Sequence, residues 1–535
     1  MRITKEQVSG ALILLGLEFQ DAEIEMMQRS VNQALGNYEN LRKIEVPYGT
    51  EPAFCFVPGI ADRVPAKGPA RFTTTIARAR KSSAPKDLKE LAFLPVTGLA
   101  PMVRSRAVTS TALTKMYLER MKRYSPKLLC LVTLTEDLAL ERAAEADKEI
   151  RAGHYKGPLH GIPFGVKDLF DTKGILTTWG AEPFQNRIPD DDATVVDRLQ
   201  KAGAVLMAKL SMGALAQGDL WFQGRTKNPW NLEQGSSGSS AGSASATSAG
   251  LVGFSLGTET LGSIVSPCGQ CGAAGLRPTY GRISRYGAMA LSWTMDKVGA
   301  ICRGVEDLAI VLNTVHGPDG RDRTVAADPF HWQPRKPLSS LRIGVLQAAF
   351  DRMQGAQKEI YTQALADLKK AGVQMKPAEY QEDLAQITFL LEAEGAAAFD
   401  DITRDGQVRT LKGQGAGDWP NSFRSSRLIP AVEYIRAQRA RTLLVKKFEA
   451  FMSEWDVIVI PPNALLATTN LTGNPQVVTK CGFADATLQD GAKVKTPRNI
   501  GFLGRIYDEA SPLRVALAFE QATEWHKQHP PMNFV

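Results

Sequence analysis

Between Gly235 and Gly250 the chain reads Gly-Ser-Ser-Gly-Ser-Ser-Ala-Gly-Ser-Ala-Ser-Ala-Thr-Ser-Ala-Gly, with no charge, no ring and no side chain larger than threonine. Flexible linkers have this composition. Two features argue for packed structure instead. After Ser240 the tract is mostly Ala and Ser, and Ala is the best helix former. The tract also leads straight into apolar Leu251-Val252-Gly253-Phe254, which reads as a buried strand, and Asn228-Pro229-Trp230 stands before it. The expectation is a tight turn followed by a helix whose small side chains let other backbone approach closely.

The rest of the chain supplies partners for such a unit. Residues 1 to about 45 read as two amphipathic helices. Thr4 caps the first, and the second runs from about Asp21 past Tyr38 with Ile24, Met27, Val31 and Leu35 on one stripe. Residues 46 to 90 are rich in Pro, Gly, Ala and Lys and read as an irregular linker. From Leu91 onward helices and strands alternate. A helix runs from Thr109 or Ser110 through Tyr124, a buried strand covers 128–134, and a helix spans Glu136 to about Arg151. Thr194–Ala202 reads as helix and Val205–Ala208 as strand. Further strands are expected at Leu341–Leu346 and Val457–Ile460, with a helix at Lys358–Ala371 between them. Alternation of this kind predicts an α/β fold with a sheet between helix layers. The expected division is a helical N-terminal extension and linker over 1–90 and a catalytic domain over 91–535.

Composition excludes several classes. Of 535 residues, 44% are hydrophobic and 22% charged, which is ordinary globular usage. No apolar run approaches the ~18 residues that would cross a bilayer, so membrane insertion is not expected. Lys and Arg number 64 against 56 Asp and Glu, a net charge of +8 without a clustered basic stripe. The densest basic stretch, Arg78, Arg80, Lys81, Lys86 and Lys89, reads as a solvated linker, and no nucleic-acid partner is expected. Six cysteines are scattered. Cys268 and Cys271 form a C-x-x-C that no second pair completes, so they read as packing residues and no metal is expected. Without a signal-peptide pattern, the expected location is the cytoplasm.

Two further segments carry chemistry. In Gly257-Thr258-Glu259-Thr260-Leu261-Gly262-Ser263-Ile264, a serine follows a strand on a glycine-containing turn. An acyl-transfer nucleophile needs that setting, because its hydroxyl must project while backbone N–H groups converge beside it. An ordinary polar loop has the same look, and this turn alone does not decide. Upstream, Lys167 ends the apolar stretch Gly161-Ile162-Pro163-Phe164-Gly165-Val166. A lysine buried there loses its charge readily and becomes a base. The alternative is a lysine that reaches solvent or pairs with Asp168. The six histidines include no convincing partner for a Ser-His-Asp arrangement. His160, beside the lysine segment, reads as scaffold.

Taken in order, Gly161 to Lys167, Gly238 to Ser243 and Gly257 to Ile264 resemble the three motifs of the amidase signature family. The similarity extends through Gly275-Leu276-Arg277-Pro278-Thr279 and Gly504-Arg505 to cover about 92–526. The resemblance implies the amidase signature fold, a large mixed sheet sandwiched between helices. It also implies a Ser–cis-Ser–Lys triad without cofactor or metal. Ser263 would be the nucleophile and Lys167 the base. Ser239, on a cis peptide bond with Gly238, would pass protons between them. The backbone N–H groups of Thr260, Leu261, Gly262 and Ser263 would form the oxyanion hole.

The chain departs from the family at Leu261, where Gly is frequent, at Glu259, where Asp is common, and at Val265, where Arg is frequent. Leu261 is expected to narrow the acyl pocket. Val265 removes a guanidinium and points away from a carboxylate-bearing substrate. The main expectation is therefore a stand-alone amidase for mostly uncharged small-molecule amides, with esters or carbamates as further substrates. One alternative is the glutaminase component of a tRNA-dependent amidotransferase, which needs a partner protein. The other is a catalytically silent scaffold. A homodimer is the default assembly for a soluble enzyme.

Overall fold

The computed structural model describes residues 2–41, 43–44, 47, 50, 55–59, 70–76, 85–381 and 385–534. Arg78, Arg80, Lys81 and much of the expected linker lie outside the described residues.

The alternation read from the sequence closes into one sheet. Among the described residues, eleven strands are hydrogen-bonded side by side. From one edge they are Leu131–Leu134, Val205–Leu210, Pro163–Lys167, Phe254–Glu259, Lys297–Cys302 and Ala274–Arg277. Gln476–Thr487, Lys493–Gly504, Val457–Ile460, Ile343–Val345 and Met375–Pro377 follow. Pairing is mixed. Pro163–Lys167 runs parallel to both of its neighbours, whereas Lys297–Cys302 is antiparallel to both of its own. The central strands are buried along their whole length, so they read as continuous apolar runs rather than alternating ones. This is the α/β arrangement expected, with Ser110–Leu128 partly buried and Val305–Val315 and Ala510–Ala522 buried over most of their surface.

The small-residue tract forms a helix, Ala241–Ser248, with every residue buried. Its composition follows from its neighbours. A Cβ on Gly242 would stand 2.5 Å from both the Cys130 carbonyl oxygen and the Ser211 nitrogen. The helix is stitched to strand Phe254–Glu259 by its hydroxyls. Ser243 Oγ donates to Leu256 O at 2.9 Å, and Ser255 Oγ donates back to Ser243 O at 3.0 Å. These bonds satisfy polar groups that burial would otherwise penalise.

Several boundaries differ from the sequence reading. The helix expected to end at Tyr124 continues to Leu128 with Pro126 inside it, and Leu129 then turns into the left-handed region. The strand consequently starts at Leu131, not 128, and is half-buried rather than buried. Val205 starts a strand that reaches Leu210, and the helix expected from Lys358 begins at Gly355. The strand Val457–Ile460 has the expected bounds.

At the N-terminus, Lys5–Leu15 and Asp21–Leu41 form two helices. Thr4 caps the first in a capping box with Gln7. Val8, Leu12 and Ile24 make a small apolar cluster, with Met27 and Val31 against it. Parts of the following segment lie on the body. Phe72 bridges to Trp332, and Phe56 packs edge-on against Tyr280 at 5.2 Å.

Candidate active site

Parallel neighbours end on the same side of a sheet, and in α/β proteins ligands meet the chain at such carboxyl ends. Pro163–Lys167 and Phe254–Glu259 are parallel neighbours, with Val166 opposite Leu256. Lys167 closes the first strand, and the turn bearing Ser263 follows the second. The segment before the small-residue helix lies against both.

A continuous hydrogen-bonded chain results. Lys167 Nζ donates to Ser239 Oγ at 2.7 Å, and Ser239 Oγ donates to Ser263 Oγ at 3.0 Å. Lys167 Nζ also donates to Thr258 Oγ1 at 2.9 Å. All four residues are buried, Ser263 retaining 8% of its surface. The Gly238–Ser239 peptide bond is cis. Gly238 is required by contact, because a Cβ there would fall 1.8 Å from the Gly218 carbonyl oxygen. Ser240 locks the two segments together. Its N–H donates to Ser263 O at 3.1 Å, and its Oγ donates to Thr258 O at 3.0 Å.

Burial lowers the Lys167 pKa to about 7, against an upward pull from Asp296 and then Glu259. At neutral pH a substantial fraction of this amine is uncharged and able to accept a proton. Lys167 does not pair with Asp168. The Asp168 carboxylate takes the Thr178 N–H at 2.8 Å and lies 3.6 Å from the buried Lys209 amine. The two lysines thus divide the possibilities, one paired with a carboxylate and one facing hydroxyls.

Glu259 fixes the turn from beneath. One carboxylate oxygen accepts the N–H groups of Ile264 and Val265, both at 2.9 Å, directly after Ser263. The other accepts Arg277 Nη1 at 2.8 Å and Asn470 Nδ2 at 3.0 Å. Burial pushes the Glu259 carboxyl upward, but the Arg277 charge and the Val265 N–H outweigh it and hold it at about 2. The bent turn also uses Gly262 at φ +91°, which a side chain would strain. Among the described residues, the N–H groups of Thr260, Leu261, Gly262 and Ser263 donate to no protein acceptor. Thr260 Oγ1 is held by Asp296 at 2.6 Å.

Removing Glu259 strands Arg277 in the core. Breaking a buried pair in this way costs about 3–5 kcal/mol. Glu259→Gln is therefore expected to lower the melting temperature clearly. Because the folded pKa is depressed, the Glu259 contribution is present above its ordinary value near 4.5 and fades as pH falls toward about 2. The wild-type advantage over Glu259→Gln in melting temperature should shrink across that window. An advantage independent of pH would contradict this assignment.

Two cavities flank the turn. One of about 730 Å³ is lined by Thr258, Thr260, Ala216, Asp296 and Lys297 among others. The second, of about 690 Å³, is lined by Ser237, Val265 and Ser266 on its near side. Leu261 is half-buried and packs on the apolar core, and it is not among the residues lining either cavity. Val265 is fully buried in a small cluster with Ile264, Cys268 and Ile301.

The other sequence candidates fall elsewhere. His160 is buried with Nε2 2.9 Å from Glu149 Oε2 and makes no bond to this chain of hydroxyls. Cys268 and Cys271 are buried, and burial raises both thiols well above their ordinary range, as suits packing residues. Three participants carry little signal in the sequence. Thr258 lies inside the nucleophile motif, where spacing alone does not separate it from Thr260. Asp296 and Asn470 come from segments without a legible pattern.

A family model described as Amidase matches residues 112–482. The chain is 32% identical over 471 residues to a glutamyl-tRNA(Gln) amidotransferase subunit of Heliobacterium modesticaldum, covering 80% of this chain and 96% of that one. Its structure resembles the native peptide amidase from Stenotrophomonas maltophilia with a TM-score of 0.71 and 27% identity, over 84% of this chain and 100% of that one. A bacterial aryl acylamidase of the amidase signature family shares the fold with a TM-score of 0.70 at 19% identity, over 81% of this chain and 97% of that one. With a lysine and two serines hydrogen-bonded in series at the carboxyl ends of the sheet, and with a family match over most of its length, this chain belongs to the amidase signature family, enzymes that act on amide C–N bonds.

Proposed function

We propose that this protein is a stand-alone hydrolase of carboxylic amides that works through an acyl-enzyme on Ser263. The observation that carries the reading is the unbroken path from Lys167 Nζ through Ser239 Oγ to Ser263 Oγ. As Ser263 Oγ attacks the amide carbon, its proton passes to Ser239, whose own proton passes to neutral Lys167. The tetrahedral oxyanion is received by the N–H groups of Thr260, Leu261, Gly262 and Ser263, of which a single well-aimed donor is worth about 3–4 kcal/mol. The same path in reverse protonates the leaving amine as the C–N bond breaks. Water then enters, gives its proton along the path and releases the acid. Neither a metal nor a cofactor takes part in these steps. We further propose that residues 91–535 form the catalytic domain and 1–90 a helical extension to it.

The path works only while Lys167 is neutral. With its pKa near 7, kcat/KM should rise about tenfold per pH unit below that value and level off above it. A profile flat between pH 5 and 8 would contradict Lys167 as the base.

Resemblance to the amidotransferase favours a second reading, glutaminase action within a larger assembly. Ammonia release by the purified chain separates the two. Turnover of simple amides without any added protein supports the stand-alone enzyme. Activity on glutamine alone, appearing only with a second protein, supports the amidotransferase component.

A further inference from the structure

The two cavities beside the nucleophile turn differ in charge. In the 730 Å³ cavity, five acidic residues face five basic ones. The 690 Å³ cavity is different. Arg352 and Arg498 are its only charged residues, and no Asp or Glu lines it among the described residues. The two arginines come from separate elements. Arg352 follows the short helix Gln347–Asp351, and Arg498 lies on the strand Lys493–Gly504.

Among the described residues neither guanidinium forms an ion pair. Arg498 Nη1 donates to Thr496 Oγ1 at 3.2 Å and to the Pro497 carbonyl at 2.7 Å, both uncharged acceptors. The neighbouring Asp351 is engaged with Lys358 at 3.4 Å instead. Positive charge without a carboxylate partner along a concave surface concentrates anions. The guanidinium fork suits a carboxylate or phosphate, which it can bind with two parallel hydrogen bonds.

The cavity also adjoins the reacting end of the molecule. Val265, two residues after Ser263, and Ser237, two residues before Ser239, both line it. Val265 is the position where the family often carries arginine. In this chain Val265 lines the same cavity as Arg352 and Arg498, which come from distant parts of the sequence.

We propose that this cavity binds an anionic group, a carboxylate or phosphate, of the amide substrate, with Arg352 and Arg498 as its binding residues. This revises the uncharged substrate suggested by Val265 alone, and it rests on Ser263 being the acylated serine.

The test follows labelling of Ser263 by a fluorophosphonate in the full chain and asks what slows it. Succinate and inorganic phosphate are the anionic probes, and succinamide is the neutral control at equal concentration. In the wild type, succinate, phosphate or both should slow labelling at least tenfold more than succinamide does. In Arg352→Ala that ratio should fall toward one. Arg352 is exposed, so this variant leaves the packing intact. Arg498→Gln should lower the ratio likewise, and Arg498→Lys, which keeps the charge, should restore part of it. Anions that protect no better than succinamide, or protection that persists in both variants, would overturn the proposal while leaving the hydrolase intact. Absence of labelling in the folded wild type would instead overturn the acyl-enzyme reading on which it rests.

Discussion

Ser263→Ala is expected to reduce amide turnover by roughly 10⁵-fold, about 7 kcal/mol of transition-state stabilisation. The alanine removes the atom that bonds to the substrate carbon, and no neighbouring group replaces it. Ser239 Oγ lies 3.0 Å from Ser263 Oγ, but Ser239 sits on a different segment from the turn that carries the four proposed oxyanion donors. The fold should be nearly unaffected, because Ser263 is held by backbone contacts. The Ser240 N–H bond to the Ser263 carbonyl and the Glu259 bonds to the next two N–H groups all survive the change. Rates on a good amide substrate, together with melting temperatures, check both halves. A variant within tenfold of wild type would remove Ser263 from the mechanism.

Lys167→Ala should be nearly as severe, with a loss of at least about 10³-fold, since groups acting in series fail as a unit. Without the amine, Ser239 has no acceptor for its proton. Thr258 Oγ1 stays close but is no base. The stability change has a definite sign. Lys167 is buried with a folded pKa near 7 against 10.5 when free. The unfolded chain therefore binds an extra proton between those values, so wild-type stability rises with pH across that window. Below about pH 7 the full penalty of burying the charged amine is constant, and above 10.5 it is gone. Lys167→Ala lacks this dependence, and its stability relative to wild type should be least favourable at high pH. The double variant Lys167→Ala/Ser263→Ala should be little slower than either single one. Additive losses would show that the two residues act independently.

Much of this site is legible in the sequence because its requirements are local. A buried lysine needs an apolar strand before it, and a projecting serine needs glycine at a bend. A helix pressed between backbone segments needs residues no larger than threonine, and Gly242 shows why. Those constraints fall within a few residues and leave readable patterns. The alternation of elements is legible for the same reason, although the ends of elements are not. Leu129 stops its helix by a left-handed turn that no glycine announces.

What stays hidden depends on contacts between distant residues. The Glu259 carboxylate meets Asn470 across 211 positions. Asp168 looks like the natural partner of Lys167, its neighbour, yet from the turn just past the strand end it meets Thr178 and Lys209 instead. The valine at 265 suggests a less charged site, and only the fold brings Arg352 and Arg498 to the same cavity. A local sequence pattern reports the backbone a segment needs, and it does not report which side chains arrive from elsewhere.

The central claim is that this chain by itself activates Ser263 through Ser239 and Lys167. Intact mass after reaction with a fluorophosphonate tests it most directly, with wild type, Ser263→Ala and Lys167→Ala compared at pH 8. The expected result is a single adduct on wild type, none on Ser263→Ala and greatly slowed labelling of Lys167→Ala. A folded wild-type protein that takes up no adduct, or an adduct that persists in Ser263→Ala, would contradict it.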